Sequence, residues 1–123
     1  MKLSSAQIRY LLAMREIATD GKLRSNEIAE KMNVSRPSVH RMLLQLEKMA
    51  LITKERYSFV MLTEQGAQLA EIYADRLRRL SRYFVGSMGV CERTARESAI
   101  TLLGELDEET VREINNKILL YTT

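Results

Sequence analysis

Between Ser25 and Leu46 the chain reads S-N-E-I-A-E-K-M-N-V-S-R-P-S-V-H-R-M-L-L-Q-L, a run that few architectures accept. Ile28, Ala29 and Met32 recur at helical spacing, as do Val39, Leu43 and Leu46, so two short segments each carry one apolar face. Between them, Asn33 tolerates the left-handed backbone that ends a helix, and Val34 can plug the elbow. Ser35 is a good N-cap, and Pro37 fits a first turn whose amides lack helical partners anyway. The spacing predicts two short helices joined by a tight turn. The second, from Arg36 to about Ala50, would present Arg36, Ser38, His40 and Arg41 around its N-terminal turns, where a recognition helix meets base edges.

Charge supports that placement. Residues 1–62 hold eleven Lys/Arg against six Asp/Glu, whereas residues 63–123 hold eight against ten, so the positive excess lies on the half with the helix-turn-helix. A basic surface suits phosphate binding, although an ordinary solvated surface looks the same by charge alone. At 123 residues and 46% hydrophobic content the chain suits one compact unit, or a small domain with a helical extension. No apolar run approaches the roughly 18 residues of a membrane span, and the first residues lack a signal-peptide core, so a cytoplasmic location is expected. Cys91 is the one cysteine, which excludes an internal disulfide and fits a reducing compartment.

Ser4 or Ser5 can cap a first helix reaching about Asp20-Gly21, with Ile8, Leu11, Met14 and Ala18 as its buried stripe. After the recognition helix, whose Val39, Leu43, Leu46 and Ala50 should face inward, the pattern changes. Leu51-Ile52-Thr53 and Phe59-Val60-Met61-Leu62 are β-prone runs around a polar Lys54-Glu55-Arg56-Tyr57-Ser58. Directly after a helix-turn-helix this reads as the hairpin wing of a winged helix, with Lys54 and Arg56 able to reach backbone phosphates. Thr63 should cap a long helix whose Leu69, Tyr73, Leu77, Leu80 and Phe84 form a sustained apolar stripe, ended at Gly86-Ser87-Met88-Gly89. Two further helices follow, at about residues 92–103 and from an acidic start at Asp107-Glu108-Glu109-Thr110, the latter carrying Val111, Ile114 and Ile118. The expected fold is mainly α: a winged helix-turn-helix over residues 1–74 and a helical dimerisation domain over residues 75–123.

This order of elements, with the motifs I-A-E-K-M-N-V-S-R-P-S-V, L-E-K-M-A-L-I, V-M-L-T-E-Q-G and L-D-E-E-T-V, resembles the diphtheria toxin repressor/manganese transport regulator family. The resemblance spans nearly the whole chain and is closer to the shorter, two-domain type. It implies a homodimeric repressor on a palindromic operator of double-stranded DNA, with Ser35, Pro37 and Arg41 at DNA-touching positions. It also implies a dimer interface in the helices after the wing, to which Leu77, Leu80, Phe84, Ile114 and Ile118 are assigned. The family generally uses divalent manganese or iron as corepressor. Aligned on Gly89-Val90 and Asp107, its metal-ligand positions fall near Arg9, Leu77, Arg96, Ile100, Leu103 and Gly104, none suited to such an ion. The single histidine, His40, lies in the recognition helix instead. No metal ligand and no cofactor is therefore expected, and an unidentified small effector stays open.

Two other readings remain. L-T-E-Q-G-A-Q-L-A also fits multiple-antibiotic-resistance-type regulators, which sense a small organic ligand, and a winged helix can serve as a protein-interaction module. Cys91-Glu92 could be a redox thiol or part of a metal site, but a small structural cysteine is the expectation. No Gly-rich phosphate loop, histidine-backed nucleophile or hydrolase pattern is present, so no enzyme is expected.

Overall fold

The structure is a computed structural model that describes residues 2–122, with side chains described up to residue 119. Its described residues form six α-helices and one three-stranded antiparallel sheet: α1 (Ser5–Ile17), β1 (Lys22–Arg24), α2 (Ser25–Met32), α3 (Arg36–Lys48), β2 (Ile52–Lys54), β3 (Phe59–Leu62), α4 (Glu64–Met88), α5 (Glu92–Glu105) and α6 (Glu108–Thr122). The mainly helical winged fold expected from the sequence is the observed one. Two compact units share the chain. One comprises residues 9–71; the other combines the residues up to Ile8 with those from Ile72 onward.

In the first unit, local chemistry sets the helix ends. Asn33 closes α2 in the left-handed region (φ 54°), and Val34 N donates to Ala29 O at 3.1 Å, turning the chain towards α3. The core comprises Leu11, Met14, Ile28, Leu46 and Leu51, each fully buried, with Leu23, Val39, Leu43, Ile52 and Val60 nearly so. Burying each such side chain contributes about 1.5–3 kcal/mol. The sheet has the order β1-β3-β2, pairing Leu23 with Val60 and Thr53 with Met61.

Four details differ from expectation. α1 ends at Ile17 because Asp20 (φ 54°) and Gly21 (φ 77°) make a tight turn, across which Thr19 and Lys22 exchange backbone hydrogen bonds. Residues 22–24 then form β1, a strand the sequence did not announce, and Arg24 immediately precedes the first turn of α2. Ala50 faces solvent in a left-handed turn (φ 61°), since α3 stops at Lys48. Finally, α4 runs through Gly86 to Met88 and is ended by Gly89 (φ 72°) alone.

The second unit buries Tyr73, Leu77, Leu80, Ala95, Ala99, Ile100, Leu103, Val111 and Ile118. Gly104 permits a close approach: a Cβ there would stand 2.0 Å from Ser5 Oγ and 2.5 Å from its backbone nitrogen. Arg76 and Glu108 form a two-point ion pair at 3.1 and 2.5 Å, which holds the Glu108 carboxyl below its ordinary range. Asp107 Oδ1 accepts from Thr110 N at 2.7 Å, the cap that starts α6. Cys91, expected to be structural, is instead exposed at the start of α5, its thiol acidified mainly by Thr94 Oγ1 at 3.2 Å.

Candidate nucleic-acid interface

Ser35 starts the recognition helix. Its Oγ accepts from Ser38 N at 3.2 Å, a cap worth about 1 kcal/mol, and Pro37 occupies the first turn. The same hydroxyl donates to Ser38 Oγ at 2.9 Å, and Arg41 Nη2 donates to that oxygen at 3.3 Å. Cap and guanidinium are thus one chain of hydrogen bonds. It aims Arg41 along the N-terminal turns, where rotamer freedom would otherwise be lost on contact.

The inward positions Val39, Met42, Leu43 and Leu46 leave Arg36, Pro37, His40, Arg41, Leu44 and Gln45 on the open face. Thirteen residues span about 20 Å, and a helix of that size enters a major groove about 12 Å wide. Leu44 is 40% exposed, one helical turn beyond His40 and Arg41. Helical periodicity had assigned it no role, yet an apolar contact there matches a thymine methyl.

Across from α3 stands the wing, β2 and β3 joined by residues 55–58. A groove of about 510 Å3 separates it from α3, lined by Arg24, Arg36, His40, Lys54, Tyr57 and Phe59 among others. Arg24 was missed because strand β1 was missed. Its Cζ lies 4.6 Å from the Phe59 ring centroid, with Lys22 Nζ at 5.4 Å, so the ring anchors two cations at the groove's edge. Among the described residues, Arg36, His40, Lys54 and Arg56 form no ion pair, which leaves their donors for a ligand. At the tip, Tyr57 (φ 60°) and Ser58 (φ 64°) both adopt left-handed backbone, at roughly 1–2 kcal/mol per residue. The structure thus brings Ser35, Arg36, Pro37, Ser38, His40 and Arg41 onto one helix, with Lys54 and Arg56 on the facing wing.

The assigned interface residues of the helical unit are placed differently. Leu77, Leu80 and Ile118 are buried within the chain itself, while Phe84 and Ile114 are half-buried. Val85 and Met88, at the end of α4, are 37% and 65% exposed. The apolar cavity between α4, α5 and α6 measures about 20 Å3, room for about one water.

The positions matched to a metal site do not fit a divalent ion. Leu77, Ile100 and Leu103 are buried apolar side chains, Arg9 and Arg96 are cationic, and Gly104 supplies no donor. The ammonium of Lys2 already donates to Leu103 O at 2.6 Å. Among the described residues no group of three His, Cys, Asp or Glu could hold a metal. No helix of the described residues is long and apolar enough to cross a membrane.

Residues 3–57 match the MarR family model, a match that runs from the start of the chain through β2 and stops within the wing, before β3. An uncharacterized HTH-type transcriptional regulator of Methanocaldococcus jannaschii is 26% identical over 92 residues, 75% of this chain and 74% of that protein. The transcriptional regulator MntR of Escherichia coli O157:H7 is 32% identical over 91 residues, and this match spans 74% of the chain but only 58% of MntR. Among solved structures, the manganese regulator SloR superposes with a TM-score of 0.69 at 28% identity, over 98% of this chain and 55% of SloR. The winged half is therefore similar to both regulator groups named by the sequence motifs, and the helices after it follow the architecture of the manganese regulator.

Proposed function

We propose that this helix-turn-helix transcriptional regulator binds a palindromic DNA operator as a homodimer and represses transcription without a metal corepressor. The observation that carries the reading is the α3 surface, where a hydrogen-bonded Ser35–Ser38–Arg41 array occupies the N-terminal turns and Arg36 and His40 join Arg24, Lys54 and Glu55 in lining the groove towards the wing. In this reading α3 enters the major groove, and Arg41, with Arg36, contacts guanine edges in the two-point manner suited to guanidinium. Lys54, Arg56 and Arg24 neutralise phosphates, and Ser35, Pro37, Ser38 and His40 fix the helix against the backbone. Val85 and Met88, beside the half-buried Phe84, supply the apolar face for a second copy, while Leu77, Leu80 and Ile118 are buried in the chain's own core. Metal independence rests on the donor set: the residues at the matched positions are apolar, cationic or without a side chain.

Selection from a random duplex library should enrich an inverted repeat with half-sites about 34 Å apart. Enrichment of no sequence at low salt would favour a protein-interaction module instead. Lys54→Ala is expected to weaken binding to selected and unrelated duplexes alike, and to flatten the plot of log affinity against log salt by about two units, one for each protomer. An unchanged salt slope would remove Lys54 from the phosphate contacts. Release of the selected duplex by a small organic ligand, with no effect of metal, would favour the multiple-antibiotic-resistance-type reading instead.

A further inference from the structure

Residues 2–5 lead into α1 and are held against the helical unit at three points. Lys2 Nζ donates to Leu103 O at 2.6 Å, although the two stand 101 positions apart in the chain. Leu3 is fully buried, and its backbone is hydrogen-bonded to the phenol of Tyr73. Ser5 approaches α5 so closely that only a residue without a Cβ fits at Gly104. Leu103 O is one of the last carbonyls of α5, which lack helical amide partners and attract a cation. The same ammonium acts on Asp107, whose carboxyl is held below its ordinary range chiefly by the Thr110 amide and hydroxyl and further by Lys2.

Leu103 and Gly104 are also two of the positions matched to the family's metal ligands. In place of ligand side chains, one gives its backbone oxygen to an ammonium and the other gives room to Ser5. A helix cap alone would explain the ammonium, and packing alone would explain the glycine. Neither explains why both fall at matched positions and on the segment that opens α1. Resting on the metal-independent DNA-binding reading above, we infer that Lys2 is a built-in corepressor: its ammonium supplies, from within the chain, the positive charge that keeps the start of α1 on α5. α1 begins in the helical unit and continues into the winged one, so it is a covalent route from this tie to the DNA-binding half. With the tie made, the chain is competent for its operator without an added ion. With it broken, the first turn of α1 is released and affinity falls. Lys2 is thus a positioning residue that does not itself touch DNA.

The test titrates a duplex selected by the full chain, in chelator, with wild type, Lys2→Met, Lys2→Arg and Lys117→Met. Lys2→Met keeps most of the side chain's length and removes its charge; Lys117→Met removes an exposed charge elsewhere in the same unit. Lys2→Met should bind about tenfold more weakly, with its salt slope and melting temperature near those of wild type. Lys2→Arg and Lys117→Met should bind within about twofold of wild type. Wild-type affinity in Lys2→Met, an equal loss in Lys2→Arg or Lys117→Met, or a loss that tracks a lowered melting temperature would overturn the assignment. So would a salt slope flattened by about two units, the mark of a direct phosphate contact in each protomer. A wild-type chain that binds only with manganese or iron(II), or that selects no duplex, would instead remove the reading on which it rests.

Discussion

Gly66→Ala is expected to lower the melting temperature by roughly 10 °C, corresponding to about 3 kcal/mol of overpacking. A Cβ at Gly66 would stand 2.0 Å from Leu51 O and 2.9 Å from Leu51 C, and both are backbone atoms that no side-chain rotation can clear. Leu51 O is also committed, since it accepts from Thr63 N at 3.0 Å. Thr63 in turn donates through Oγ1 to Ala50 O at 2.7 Å and accepts from Gly66 N at 3.0 Å. The end of α3, the start of β2 and the cap of α4 meet at this one point. Relieving the clash would separate them. Gly86→Ala is the control: it lies in the same helix, a Cβ there meets nothing within 4 Å, and the better helix former should leave stability unchanged or higher. Equal melting temperatures for Gly66→Ala and Gly86→Ala would show that α4 is not wedged against Leu51.

Arg41→Ala should abolish most sequence preference while leaving the fold and non-specific binding nearly intact. Arg41 is exposed, and its described hydrogen bond goes to Ser38 Oγ, so truncation leaves no buried group unpaired. What it removes is one two-point base contact, worth about 1–3 kcal/mol of discrimination in each half-site. In a symmetric dimer the loss counts twice. The ratio of affinities for selected and scrambled duplexes should then fall by two orders of magnitude or so. Binding to the scrambled duplex should fall only by the one charge lost from each protomer. A variant that keeps the wild-type ratio would move base reading to Arg36 or Leu44.

The parts of the fold legible from sequence are those whose signals are local. Asn33, Ser35 and Pro37 act within one turn of themselves, so the helix-turn-helix could be placed to the residue at the start of α3. The β-prone runs on either side of the polar residues 54–58 likewise marked the wing. Long-range partners were invisible. Lys22–Arg24 carries no period of its own and becomes a strand only because β3 pairs with it. That omission hid Arg24, and with it one wall of the groove. Gly66 and Gly104 gave no local sign of the backbone and side-chain atoms packed against them. Nor could spacing tell which stripe residues the chain would bury itself: Leu77, Leu80 and Ile118 are spent on its own core, leaving Val85 and Met88 exposed.

Residues 3–57 match one regulator family and 98% of the chain superposes on a manganese regulator, yet the matched ligand positions hold leucines, isoleucine, glycine and arginines. A fold can persist after the chemistry of its switch has gone, because packing and ligation make different demands on the same positions. The most direct test is a titration of the selected duplex with the full chain, in chelator and then with excess manganese, iron(II) or zinc. The account predicts the same affinity, within about twofold, in all four conditions. A gain of tenfold or more with stoichiometric manganese or iron(II), reversed by chelator, would contradict it.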